Sequence, residues 1–231
     1  MNPIPTDAHR LVRLLQLASP ALPVGGYSYS QGVEWAVETR VVHDRPSAAR
    51  WISGVLHGSF ASFEAPLLVR LLRCWRAGDP DGVARWNEIH LAARETAELR
   101  AEALQMGYSL KGLVLALGIL PAHMVHALAA LEPASYPAAW SAACAGWELD
   151  EDAAVTTYAW SWLENQVLAA LKLVPLGQVA GQALLLELGA AIAGVVETAR
   201  ALGDDELSNF APGLAIASSR HETQYSRLFR S

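Results

Sequence analysis

Residues whose types could do chemistry are scattered along this chain. Of the seven histidines, His123 and His126 stand three apart, close enough to share a helix face and hold a metal. No carboxylate or cysteine nearby completes a ligand set, so structural or exposed roles fit them better; a weak site shared between subunits stays open. Two acidic clusters, Glu148 with Asp150, Glu151 and Asp152, and Asp204 with Asp205 and Glu206, each precede a helical stretch. Paired aspartate-rich helices would suit an all-helical magnesium-dependent enzyme acting on isoprenoid diphosphates, because diphosphate needs bridging cations. Ser208 occupies the place of the closing aspartate, and acids at helix starts are ordinary caps. Gly25-Gly26-Tyr27-Ser28 opens a helix and could receive an anion. With no strand before it and no lysine in it, a tight turn that packs a helix closely is the plainer reading. Arg94 and Glu98, four apart, predict a surface ion pair, and Lys172 near a helix end suits the helix dipole. Neither a nucleophile elbow nor a phosphate-loop motif is present, so no catalytic set emerges.

The elements that carry these residues are helical. The 231 residues suggest one domain. Alanine and leucine dominate, and breaks fall at Gly and Pro with no sustained period-two pattern. Thr6-Asp7 can cap a first helix. Further helices are predicted from about Ser28 to Arg40, from Pro46 to Ala77 with a split or kink at Pro66, and from Asp81 to Leu117 as one long element. Shorter ones span Pro121–Leu131 and Pro137–Trp147. Asp150 caps another that reaches about Val174, and the chain continues helical from Gly177 to Leu202. The fold class is all-α: a single-domain bundle of roughly nine or ten helices.

Composition excludes several function classes. Hydrophobic residues make up 52% and charged residues 17%, so the chain as a whole is not disordered. A net charge of −6 argues against nucleic acid or an anionic membrane as partner. The apolar stretch from Gly112 to Leu131 is long enough to consider as a membrane span, but Pro121, His123 and His126 interrupt it, and two buried helices explain it better. Cys74 and Cys144 lie far apart and read as free thiols in a reducing compartment. Met1–Arg13 has no apolar signal core, so a cytoplasmic location is expected.

The end of the chain differs from the rest. Residues 1–217 read as the helical domain and 218–231 as a flexible, basic tail, SSRHETQYSRLFRS. Arg220, Arg227 and Arg230 supply charge; Tyr225, Leu228 and Phe229 supply apolar anchors. A frayed terminus is the bland reading. The other is a segment that orders on a partner, with Tyr, Phe and Arg as anchor types.

Five blocks, in order, resemble the UreF family of urease accessory proteins. They are Leu14–Glu34 (LLQLASPALPVGGYSYSQGVE), Arg94-Glu95 with Glu98-Leu99-Arg100, Gln105–Leu110 (QMGYSL), Lys172–Gln178 (KLVPLGQ) with Gln182, and the tail from Arg220 to Ser231. The resemblance implies an all-helical nickel-insertion chaperone that dimerises and has no catalytic site. It implies partners: the accessory protein UreD (also called UreH), the GTPase UreG and the urease apoenzyme. No cofactor is expected to bind stably; nickel would pass transiently. By the same resemblance Arg220, His221, Tyr225, Arg227, Leu228, Phe229, Arg230 and Ser231 would dock UreD, while Glu34, Lys172, Gln178, Tyr27 and Ser28 would face UreG. A structural role as helix-packing motif stands beside each of these assignments.

Overall fold

The computed structural model describes residues 7–231, so Thr6 of the expected first cap lies outside the described residues. Among these the chain forms twelve α-helices and no strand. The N-terminal half comprises α1 (Asp7–Ala18), α2 (Val33–Glu38), α3 (Arg45–Val55), α4 (Ala65–Ala77), α5 (Pro80–Ala92) and α6 (Ala97–Ala116). The C-terminal half comprises α7 (Ala122–Ala130), α8 (Tyr136–Gly146), α9 (Glu151–Leu173), α10 (Gly177–Gly189), α11 (Ile192–Ala201) and α12 (Pro212–His221).

Two departures from the expected elements shape the interior. Pro66 does not split its helix. A π-helical stretch, Leu56–Glu64, joins α3 to α4, and Pro66 sits in the first turn of α4, where its missing N–H matters least. The expected single helix from Asp81 to Leu117 is two. The chain turns at Ala93–Glu95, and Thr96 restarts it by accepting a hydrogen bond from the Leu99 amide at 3.2 Å. Asp150 caps α9 as expected, accepting from the Ala153 amide.

Helix α8 is the centre. Ala138, Ala139, Trp140, Ala142, Ala143 and Cys144 are fully buried, packed between α4 and α6. Small side chains let the neighbouring backbones come close. Gly107 of α6 shows how close: a Cβ there would collide with the Ala134 carbonyl oxygen. The QMGYSL block is thus a packing site between α6 and the start of α8. Tyr136, Trp140, Tyr158, Phe60 and Trp162 form a contiguous aromatic cluster, with ring centroids 4.9 to 5.8 Å apart.

Two runs, 45–77 and 177–201, are long and apolar enough to cross a membrane by length and composition. The first lies mostly inside the molecule, in the same core as α8. The Gly112–Leu131 stretch resolves into the end of α6, a turn through Gly118 and α7.

The tail departs from the expectation of a flexible terminus. Helix α12 runs to His221, across positions 217 and 218, and the residues beyond fold back onto α2 and α6. Phe229 and Ser231 are buried, because the body supplies partners for the tail's amides and rings.

Candidate functional site

The seat of the tail is built from carboxylates. Glu34, on α2, is only 6% exposed. Its Oε1 accepts from the Leu228 amide at 2.6 Å, and its Oε2 from the Phe229 amide at 2.8 Å. His221 is completely buried between two acids, with Nε2 3.1 Å from Glu34 and Nδ1 2.7 Å from Glu98 on α6. Both ring nitrogens are thus engaged by acidic side chains, and His221 bridges α2 and α6. Arg227 closes the arrangement by donating to the other Glu98 oxygen at 2.8 Å. A buried carboxylate that receives several charge-assisted bonds is satisfied where an unpaired one would be costly.

The backbone completes the seat. The Arg230 amide donates to the Ser28 carbonyl at 2.8 Å, and the Ser30 amide to the Ser231 carbonyl at 2.7 Å. Gly32 explains part of the local sequence: it holds a φ of +79°, and a Cβ there would meet the Ala217 Cβ of α12 at 2.9 Å. Thr96 and Ser218 share a hydrogen bond of 2.7 Å, so the cap of α6 is also tied to α12. The Ser19–Tyr29 block supports this face, since Gly25 (φ +77°) turns the chain into the short 3₁₀ turn Gly26–Ser28.

Behind the seat lies a cavity of about 150 Å³, walled in part by Tyr27, Gln31, Met106 and Trp162. Of the three glutamates that line it, Glu64 and Glu102 have opposite electrostatic fates. Burial is the largest single influence on Glu64 and opposes its charge, but Arg94 at 2.8 Å, His90 and a 2.7 Å bond from the Tyr158 hydroxyl together outweigh it. The Glu64 carboxyl is therefore held well below the usual carboxylate range. Burial pushes His90 down; its Nε2 faces Glu64 at 3.2 Å, while Nδ1 has no hydrogen-bond partner among the described residues. Glu102 goes the other way. Burial pushes it up to about 7, because Gln31, Arg94 and Ser231 offset only part of that effect.

Other expected features resolve differently. Arg94 and Glu98 do not pair with each other, because the turn at Ala93–Glu95 separates them; Arg94 goes to Glu64 and Glu98 to the tail. Lys172 is exposed on α9 with its ammonium 5.3 Å from the Phe229 ring centroid, a cation–π contact that ties it to the tail. Tyr27 is exposed, and Ser28 contributes through its backbone. Gln178 is exposed in the first turn of α10, and no hydrogen bond joins it to the seat among the described residues. Asp204 is engaged by Arg70 at 2.7 Å and lies near Arg85 at 3.8 Å, so it serves as a counter-charge to cations at the start of a short helical turn. His126 bonds the Ala122 carbonyl, and no group of three or more His, Cys, Asp or Glu side chains suited to a metal occurs among the described residues. Both cysteines are free, and burial pushes the Cys144 thiol up to about 12.

Reading the residues missed Glu64, Gln31 and Ser30 as parts of one interior. No spacing rule links positions 26 to 201 residues apart, and the only signal was that Gln31 and Ser30 fall in the first recognisable block.

This architecture, an all-helical body whose polar interior holds one chain segment, defines an all-α class of protein. The comparisons give the particular family. A family model described as UreF matches residues 42–189. The chain is 59% identical to the urease accessory protein UreF of Azoarcus sp. (strain BH72), over 96% of this chain and 95% of that one. It is 54% identical to that of Methylobacillus flagellatus, over 98% and 100%. It is 50% identical to a bifunctional urease accessory protein UreEF of Bordetella bronchiseptica, over 97% of this chain and 53% of that one. The chain belongs to the UreF family.

Proposed function

We propose that this chain is a cytoplasmic, dimeric scaffold that joins UreD and UreG, couples GTP hydrolysis by UreG to nickel delivery, and so matures apo-urease. Near-full-length similarity to proteins named as urease accessory proteins carries the reading. The surface around the seated tail supports it. Tyr225 and Leu228 stand in solvent beside Arg220, Arg227 and Arg230, the residue types that anchor protein interfaces. In this proposal residues 218–231 dock UreD. Tyr27, Lys172 and Gln178 offer exposed contacts for UreG, while Glu34 and Ser28 act from beneath by fixing the tail. Nickel is cargo, and no stably bound cofactor is needed. The bifunctional UreEF relative is consistent with working beside another urease accessory component.

The experiment is reconstitution. Apo-urease, UreD, UreG, GTP and nickel are incubated with and without this chain, and urease activity is read. Activation that depends on the chain is expected; equal activation without it contradicts the proposal.

A further inference from the structure

The cavity behind the seat is short of cations. Glu64, Glu102 and Glu164 line it, against the single guanidinium of Arg94. Arg94 is engaged by Glu64 at 2.8 Å, and His90 faces that same carboxylate at 3.2 Å. Glu102 and Glu164 make no ion pair among the described residues. Glu102 is only 7% exposed and holds neutral donors alone: Gln31 Nε2 at 2.8 Å and the Ser231 hydroxyl at 3.3 Å. A buried carboxylate without a counter-charge is unfavourable, and a cation placed beside it relieves that penalty.

Much of the remaining wall is apolar or aromatic, with Phe60, Leu99, Met106 and Trp162 among its residues. Hydrocarbon packs against such surfaces, and aromatic rings attract cations through their faces. At about 150 Å³ the cavity has room for a guest the size of benzene. Tyr27 and Leu168, both exposed, also line it, so it reaches the surface between the first loop and α9. A metal ion is poorly served, because no group of three or more His, Cys, Asp or Glu side chains suited to one occurs among the described residues.

We propose that this cavity binds a small organic cation, a primary ammonium on a short hydrocarbon body, with the ammonium on Glu102 and the hydrocarbon against Met106 and Trp162. An ammonium carries three donors and no acceptor, which matches a wall rich in carboxylate. An anion is disfavoured by the same carboxylates, and a neutral guest leaves Glu102 without a counter-charge. The state of the two unpaired acids agrees: burial pushes both Glu102 and Glu164 up, and in neither does a partner cancel that effect. The inference concerns the interior of the chain and stands apart from the proposed partners.

The test is titration of the full chain with n-butylammonium, n-butanol and butyrate at pH 8, above the Glu102 value of about 7, with the Met106 methyl and Trp162 indole signals followed by NMR. Saturable shifts at both residues are expected with butylammonium, at concentrations about tenfold or more below those that butanol requires, and none with butyrate. Glu102→Gln should weaken butylammonium to the level of butanol while amides of α8 stay protected from exchange. The absence of a saturable shift with butylammonium overturns the proposal. So does equal binding of butanol or butyrate, or butylammonium binding undiminished in a folded Glu102→Gln chain. If that variant does not fold, nuclear Overhauser contacts from the butylammonium methylenes are sought in the unaltered chain. Contacts to Met106 and Trp162 support the proposal, and their absence at saturation overturns it.

Discussion

Glu64 carries its charge in a place that water barely reaches, and Arg94, with His90 and the Tyr158 hydroxyl, makes that possible. At the scale of single residues, this pair and the Glu34 carboxylate are the groups whose loss costs most. Glu64→Gln leaves Arg94 without a counter-charge beside buried His90 and Tyr158 and is expected to cost about 3–5 kcal/mol in unfolding free energy, read by urea denaturation. The pH dependence has a fixed sign. The Glu64 carboxyl is depressed in the fold, so its contribution is present above the ordinary glutamate range and is lost as pH falls through the folded value. Unfolding midpoints measured from pH 6 down to pH 3 should fall in the unaltered chain and fall less in Glu64→Gln. Glu34→Gln keeps one acceptor oxygen but turns an NH₂ group toward the Leu228 or Phe229 amide. Faster hydrogen exchange at those two amides is the expected result, with core amides unchanged. None of these groupings was readable from spacing. Arg94 and Glu98 look like an i, i+4 pair on paper, and only the restart of the chain at Thr96 sends them to different partners.

At the scale of elements, the breaks decide what meets what. Thr96 caps α6 and holds Ser218 of α12, so Thr96→Ala removes two bonds at once. A loss of about 1–2 kcal/mol is expected from thermal or urea unfolding. Gly107→Ala drives a Cβ against the Ala134 backbone, which a rotamer change cannot relieve, and about 1–3 kcal/mol should be lost as α6 and α8 separate. Helix existence was largely legible, because alanine-rich apolar runs between Gly and Pro stops leave little alternative. Boundaries were less so. Pro66 reads as a break, yet a π-helical approach places it where a first-turn proline fits. The stretch from Asp81 to Leu117 reads as continuous because Ala92-Ala93-Arg94-Glu95 has no Gly or Pro, and tertiary contacts made the turn there. The blocks that carry the family resemblance are partly structural for the same reason: Gly32 lets α12 approach and Gly107 lets α8 approach.

At the scale of the whole molecule, a helical body with a seated tail is organised to present a surface. The tail looked like a frayed end because a basic, polar segment cannot bury much of itself. What the composition hid is that the body anchors it at His221, Phe229 and Ser231, through three acidic side chains on α2 and α6 that accept its amides, imidazole and guanidinium and its serine hydroxyl. The exposed remainder, Tyr225 and Leu228 with the arginines, is then held in a fixed arrangement for a partner. Phe229→Ala should act indirectly by emptying the seat and releasing Lys172, whereas Tyr225→Ala should act at the partner surface alone. Affinity for UreD, read by calorimetry, should weaken by about 1–3 kcal/mol in each variant, with tail amide protection lost only in Phe229→Ala. The measurement that tests the central claim most directly is co-purification of UreD and UreG with the full chain and with a version ending at Ser219. The account predicts a complex with the full chain that disappears on truncation while the helical body stays folded. An intact complex with the truncated chain would contradict it.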